Sequence, residues 1–238
     1  MPGCNGRLGG NVSVAESGAP RHGLGMDIIA LDIETETGPC HSPVQECCAR
    51  RGLDPGITPI TVVSISDAIG ATVLRSSTLG EAGLLRALDA ALAGRSGYLV
   101  TWNGSAFDLP FIAERAIVCG VALGLEVVAD ASIEIKYQPL PGHSTAYRGR
   151  WHGLEHVDIQ FAYKDLAEKQ LIRWGLKPVA NHFGLAPVEV DRLAMHELSV
   201  EELDEYVASD TRVTLELAMR IGDLTDWSDT LAFEDWPQ

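Results

Sequence analysis

The sequence predicts a single α/β domain, and three observations lead there. Runs rich in Val, Ile, Thr and Tyr alternate with stretches whose leucines recur at helical intervals. With 238 residues, 46% hydrophobic and 21% charged, the chain is long and apolar enough to bury one sizeable core. Strand hairpin, helix, strand, helix, strand and closing helices follow one another without an internal repeat, which suits one layered core.

Residues 1–25 are rich in Gly, Pro, Ser and Ala, show no apolar period and read as a flexible leader. Met26 stands directly before the first strand-like run and is a second candidate start of translation. From Asp27, DIIALDIE reads as a strand. TVVSIS and ATVLRS read as a hairpin turning over Asp67 to Gly70. Thr78 and Glu81 have capping-box spacing ahead of GLLRALDAALAG, where Leu84, Leu85, Leu88 and Leu92 define a helix that Gly94 stops. The strand GYLVTW is followed by a loop and a helix from about Leu109 to Cys119, with Pro110 tolerated in its first turn. Residues 130–153 read as a long polar stretch. HVDIQFAY then reads as a strand, followed by two helical stretches and a last helix opened by Ser199 with Glu202 three residues on. The domain is expected to span residues 26–222, with an acidic tail over 223–238.

Composition excludes several classes. No apolar run reaches the roughly 18 residues that span a bilayer, and no basic region followed by an apolar stretch opens the chain, so a cytoplasmic location is expected. Five cysteines argue for reduced thiols rather than a disulfide scaffold. A net charge of −15 speaks against holding nucleic acid by bulk electrostatics. The charge is uneven: Lys136 to Lys177 carries +3 and the rest −18. That asymmetry points to one face for an anionic partner and carboxylates held elsewhere for another purpose, such as a metal.

The carboxylates form a pattern. Asp32 and Glu34, two apart on the first strand, project side by side. Their mutual repulsion favours a cation between them, although an isolated pair of this kind is also an ordinary solvent-facing strand end. Asp108, in WNGSAFDLPFI, stands at the expected N-cap of a helix, which alone accounts for an Asp there. Asn103 suits a turn, and Phe107 and Phe111 suit the core. Tyr206 and Asp210 are four apart on the last helix and share a face, as a packed aromatic and a surface acid would.

Together, Asp-x-Glu, Asn-x-x-x-Phe-Asp and Tyr-x-x-x-Asp resemble, in order and spacing, the three exonuclease motifs of the DEDD superfamily in its DEDDy branch. NGSAFDLPF most resembles the 3′–5′ exonuclease domain of family B DNA polymerases, and HVDIQFAY with LKPVANHFGL resembles that group's segment between the second and third motifs. The resemblance implies a ribonuclease H-like fold, a mixed five-stranded sheet flanked by helices. It implies two divalent cations, Mg²⁺ or Mn²⁺, held by Asp32, Glu34, Asp108 and Asp210, with Tyr206 orienting the attacking water. It further implies substrate contacts from Thr35, Asn103 and Phe107. The expected activity is hydrolysis of single-stranded DNA from its 3′ end to nucleoside 5′-monophosphates. A ribonuclease D-like exoribonuclease and a non-catalytic module binding nucleic acid or a replication partner are the alternatives.

Lesser signals stay open. Lys136, Arg148 and Arg150 with Tyr137, Tyr147 and Trp151 suit either a single-strand guide or a loop whose aromatics cover the core. Asp158 reads as a structural acid rather than a fifth ligand. Cys40, His41, Cys47 and Cys48 match no common zinc spacing. The tail, with five acids and three large aromatics, suits either docking to a replication or repair protein or packing on the domain.

Overall fold

The computed structural model describes residues 27–36, 53–135, 140–191, 195–222 and 224. The leader, the cysteine-rich loop, Lys136, Tyr137 and nearly all of the acidic tail lie outside the described residues. Among the described residues, seven strands form one sheet: β1 (Asp27–Thr35), β2 (Ile60–Ser66), β3 (Ala71–Arg75), β4 (Ser96–Thr101), β5 (Leu125–Asp130), β6 (Ala146–Trp151) and β7 (Gly153–Asp158). Their order is β3-β2-β1-β4-β7-β6-β5. The central trio β1, β4 and β7 is parallel, and the flanking pairs are antiparallel.

Among the described residues six helices accompany the sheet: α1 (Ser76–Leu79), α2 (Glu81–Leu92), α3 (Asp108–Cys119), α4 (Lys164–Lys169), α5 (Leu176–His182) and α6 (Val200–Ala218). No helix among the described residues is long and apolar enough to cross a membrane.

Alternation along β1 separates two cores. Ile29, Leu31 and Ile33 pack with Leu84, Leu85, Leu88 and Leu92 of α2 and with Leu109, Phe111 and Ile112 of α3. Ala30 faces the other way, toward Val100, Val157 and the α6 residues Val213 and Leu217. The same alternation sends Asp32 and Glu34 to the α6 side.

The α/β class and helix-flanked sheet agree with expectation, but the strand count rises from five to seven. Both added strands lie on the far edge, and β6 falls within the stretch read as polar. Its AYRGRW pattern hides the alternation because the residues on one side are Arg148 and Arg150, which pair with Asp130 and Glu126 across β5. The other side carries Trp151, fully buried, whose indole N–H donates to Asp89 at 2.8 Å.

Three local expectations also change. β7 ends at Asp158 and the chain continues in a 3₁₀ turn, Phe161–Tyr163, rather than a longer strand. The Thr78–Glu81 capping box does not form, because Gly80, at φ 67°, separates α1 from α2 and the Glu81 carboxylate accepts instead from Ile60 N–H and Arg115. Asp108 is the first residue of α3, with Phe107 at the N-cap. The Asp67–Gly70 turn and the Ser199–Glu202 capping box are present as expected.

Candidate active site

The candidate residues come from three elements that meet near the carboxyl end of β1. Antiparallel pairing sets Asp32 opposite Ser64 and Glu34 opposite Val62, so each pair shares a face. That face is covered by α6. Ser64 and Ser66 hydroxyls bond Thr211 Oγ1 at 2.8 and 2.7 Å, and Val62 clusters with Tyr206 and Val207. The Thr211 anchor sets the rotation of α6. Tyr206 and Asp210, 2% and 4% exposed, are thereby turned inward toward the sheet. Asp32 and Glu34 are half-buried.

Asp108 arrives from the other side. The last β1–β4 pair is Ala30 with Val100. Beyond it, the N–H of Ile33 donates to Asp108 Oδ1 at 3.2 Å instead of to a strand carbonyl. This bond puts the second motif beside the first. The loop that delivers Asp108 is braced by Asp158, whose carboxylate accepts from Asn103 N–H at 2.8 Å and Ser105 N–H at 3.0 Å. Asn103 sits at φ 71°, a conformation its side chain tolerates better than most. Gly104 is required by space, since a Cβ there would lie 2.2 Å from Thr101 Oγ1.

Electrostatics single out Asp108. Complete burial, then the nearby Asp158 charge, push its carboxyl up to about 7, against the opposing bond from Ile33. An acid so destabilised in its charged form suits a neighbouring cation, which would offset both penalties. The donor set also fits: four carboxylates offer only hard oxygen ligands, suited to Mg²⁺ or Mn²⁺. Among the described residues, no three His, Cys, Asp or Glu side chains are gathered as ready ligands. Asp210 Oδ1 instead lies 3.4 Å from Lys177 Nζ, and that ammonium sits 4.1 Å from the centre of the Tyr206 ring.

The remaining candidates scatter. Thr35 is buried at a register shift that follows Glu34, opposite Ile60. Phe107 is half-buried, its ring 5.4 Å from that of the buried Phe111. Asn103 Oδ1 accepts from Gln160 Nε2 at 3.2 Å. Arg148 and Arg150 lie on β6, three strands from β1, each ion-paired to an acid of β5. Tyr147 is half-buried and bonds His143 through its hydroxyl, and Trp151 belongs to the core.

Lys177 is the site residue that sequence reasoning missed. It stood only as one charge within a basic stretch, and nothing in its spacing to Asp210 signals contact. Thr101 and His156, hydrogen-bonded at 2.7 Å and fully buried beneath the loop, were equally silent.

A parallel-centred mixed sheet, acids at the end of its first strand and at the head of a following helix, and a covering helix with Tyr and Asp define a ribonuclease H-like domain of the polymerase-exonuclease type. Residues 55–186, more than half of the chain, match the family described as "predicted 3′-5′ exonuclease related to the exonuclease domain of PolB". The chain belongs to that family. The matched segment holds Asn103, Phe107 and Asp108, begins after Asp32 and Glu34, and ends before Tyr206 and Asp210.

The fold is similar to that of the family B DNA polymerase from the hyperthermophilic archaeon Pyrobaculum calidifontis, with a TM-score of 0.55 and 21% sequence identity. That likeness covers 81% of this chain and 24% of the polymerase, so the chain corresponds to about a quarter of that enzyme. No curated protein is significantly similar to the chain in sequence.

Proposed function

We propose that this protein is a metal-dependent 3′–5′ exonuclease that hydrolyses single-stranded nucleic acid, DNA in preference to RNA, to nucleoside 5′-monophosphates. The observation that supports this reading is that the elements bearing residues 32, 34, 108, 206 and 210 adjoin: Ile33 N–H donates to Asp108 Oδ1, and Thr211, next to Asp210 on α6, bonds Ser64 and Ser66 on the strand beside β1. Asp32, Glu34 and Asp210 would hold one divalent cation and Asp108 would serve the second. When bound, the cations would supply transition-state charge stabilisation and a water of lowered pKa. Tyr206 contributes its hydroxyl, which orients the attacking water in line with the scissile bond. Thr35 and Phe107 are chain neighbours of Glu34 and Asp108, and with Asn103 they would position the terminal nucleotide. The net negative charge is compatible with a phosphate substrate if bound cations, rather than bulk lysine, supply the attraction. The preference for DNA rests on kinship with polymerase-linked exonucleases.

The test uses 5′-labelled DNA and RNA oligonucleotides of one sequence, with Mg²⁺, with Mn²⁺ and with chelator. Stepwise shortening that requires metal, releases 5′-monophosphates and is slowed by a 3′-terminal phosphorothioate is the expected result. Release of 3′-monophosphates, or shortening from the 5′ end, would overturn the assignment. Faster loss of RNA than of DNA would overturn the substrate preference alone.

A further inference from the structure

Lys177 is placed where a cation is wanted. Its side chain is 15% exposed, that of Asp210 is 6% exposed, and the two are 3.4 Å apart. The same ammonium stands 4.1 Å from the Tyr206 ring centre and donates to the carbonyl of Val188. Val188 N–H in turn donates to Ser209 Oγ at 2.9 Å, tying this segment to the residue before Asp210. Lys177 itself stands on α5, which packs against α6. Three partners of different kinds therefore converge on one ammonium: a carboxylate, an aromatic face and a main-chain carbonyl.

We infer that Lys177 is a built-in counter-cation, a positioning residue that holds Asp210 and Tyr206 in place and yields Asp210 to a divalent cation on binding. The inference rests on the proposed reading of Asp210 as a metal ligand. Burying a carboxylate without a cation is costly, so a charge partner lets the site fold before metal arrives. A cation approaching Asp210 meets that ammonium as a competitor and as a like charge. The apparent metal affinity is lowered accordingly, as for any ligand that must displace another. The contacts to Tyr206 and Val188 do not involve Asp210. They leave the ammonium a resting place once the carboxylate is given up.

Two experiments on the full chain test this. Calorimetric Mn²⁺ titration of wild type, Lys177→Met, Lys177→Arg and Asp210→Asn is the first. Lys177→Met, which keeps the packing of the stem, should bind Mn²⁺ at least about fivefold more tightly than wild type, a coupling of ordinary size. Lys177→Arg should bind like wild type and Asp210→Asn more weakly. The second uses wild type alone, so it stands whether or not the Met variant folds. Acetylation of Lys177 by an N-hydroxysuccinimide ester, followed by mass spectrometry, should accelerate several-fold when Mn²⁺ is added, with Lys164 and Lys169 as unchanged internal standards. If Asp210→Asn weakens Mn²⁺ binding but Lys177→Met binds no more tightly and labelling is unchanged, the lysine inference fails alone. If wild type binds no Mn²⁺, the metal reading fails and takes the inference with it.

Discussion

The main-chain N–H of Ile33 donates to Asp108 Oδ1 at 3.2 Å, a bond between positions 75 residues apart. It joins the strand that carries Asp32 and Glu34 to the helix that carries Asp108, at the point where β4 has ceased to pair with β1. One carboxylate thus serves as a sheet acceptor through one oxygen.

That double use separates two substitutions of Asp108. Asp108→Asn keeps an acceptor for Ile33 and removes a buried charge beside Asp158, so it should fold with a melting temperature at or above that of wild type. Asp108→Ala leaves the Ile33 N–H without its acceptor and should be less stable than Asp108→Asn by about 1–3 kcal/mol. Both should lose activity by about 10²–10³-fold, the scale on which charge-stabilising groups act. Melting curves beside single-turnover hydrolysis distinguish the two effects. Near-normal turnover in folded Asp108→Asn would remove Asp108 from the site.

Tyr206 and Asp210 share one face of α6, yet their loss should differ. Tyr206→Phe preserves the ring beneath Lys177 and removes only a hydroxyl that positions water, so its cost should be roughly tenfold, less than that of Asp210→Asn. Single-turnover rates at saturating Mg²⁺ measure both. An unchanged rate in Tyr206→Phe would make the residue core packing alone, and equal losses would give it a larger part than positioning.

A pH effect follows from Glu81. Its carboxylate accepts from Arg115 and from Ile60 N–H at 2.8 Å, with side chains only 13% and 8% exposed for Glu81 and Arg115. Desolvation pushes the Glu81 pKa up, but bonds from Arg115 and Ile60 outweigh it and hold the carboxyl below its ordinary value. A depressed folded pKa means the ionised form stabilises the fold. That contribution is complete above the ordinary glutamate pKa, near 4.3, and drains away as pH falls through the lower folded value. Melting temperature against pH should therefore show an acid limb that is shallower in Glu81→Gln. At neutral pH this variant should be destabilised by about 3 kcal/mol, because Arg115 is left buried without its partner. Parallel acid limbs would show that other carboxylates dominate.

Arg148 and Arg150 test the path of the strand. Both are already paired, to Asp130 and Glu126, so a phosphate contact must share or displace those acids. If they guide the strand, replacing both with Ala should raise KM and reduce the salt dependence by about one unit of slope per lost phosphate contact, with kcat little changed. Stability should hardly move, since partly exposed ion pairs contribute about 0–1 kcal/mol. A wild-type KM and salt slope would make this edge of the sheet a solvated surface.

Much of this molecule is legible in the order of its residues because local rules govern it. Period-two alternation marks β1, leucine spacing marks α2, and Ser199 with Glu202 marks the start of α6, each within a few residues of chain. The motif residues are likewise fixed in type and spacing by short segments. Assembly is not local. Register across β1 and β2 decides that Asp32 and Glu34 face α6, and Ser64 and Ser66 on Thr211 decide which side of α6 meets them. The role of Asp158 as the brace of the Asp108 loop, the strand identity of β6 and the arrival of Lys177 at Asp210 depend on contacts between segments 18 to 55 residues apart. Such contacts are set by how two faces pack and how buried polar groups find partners. No period or spacing in the chain encodes that geometry, so it appears only once the sheet and its covering helices are assembled.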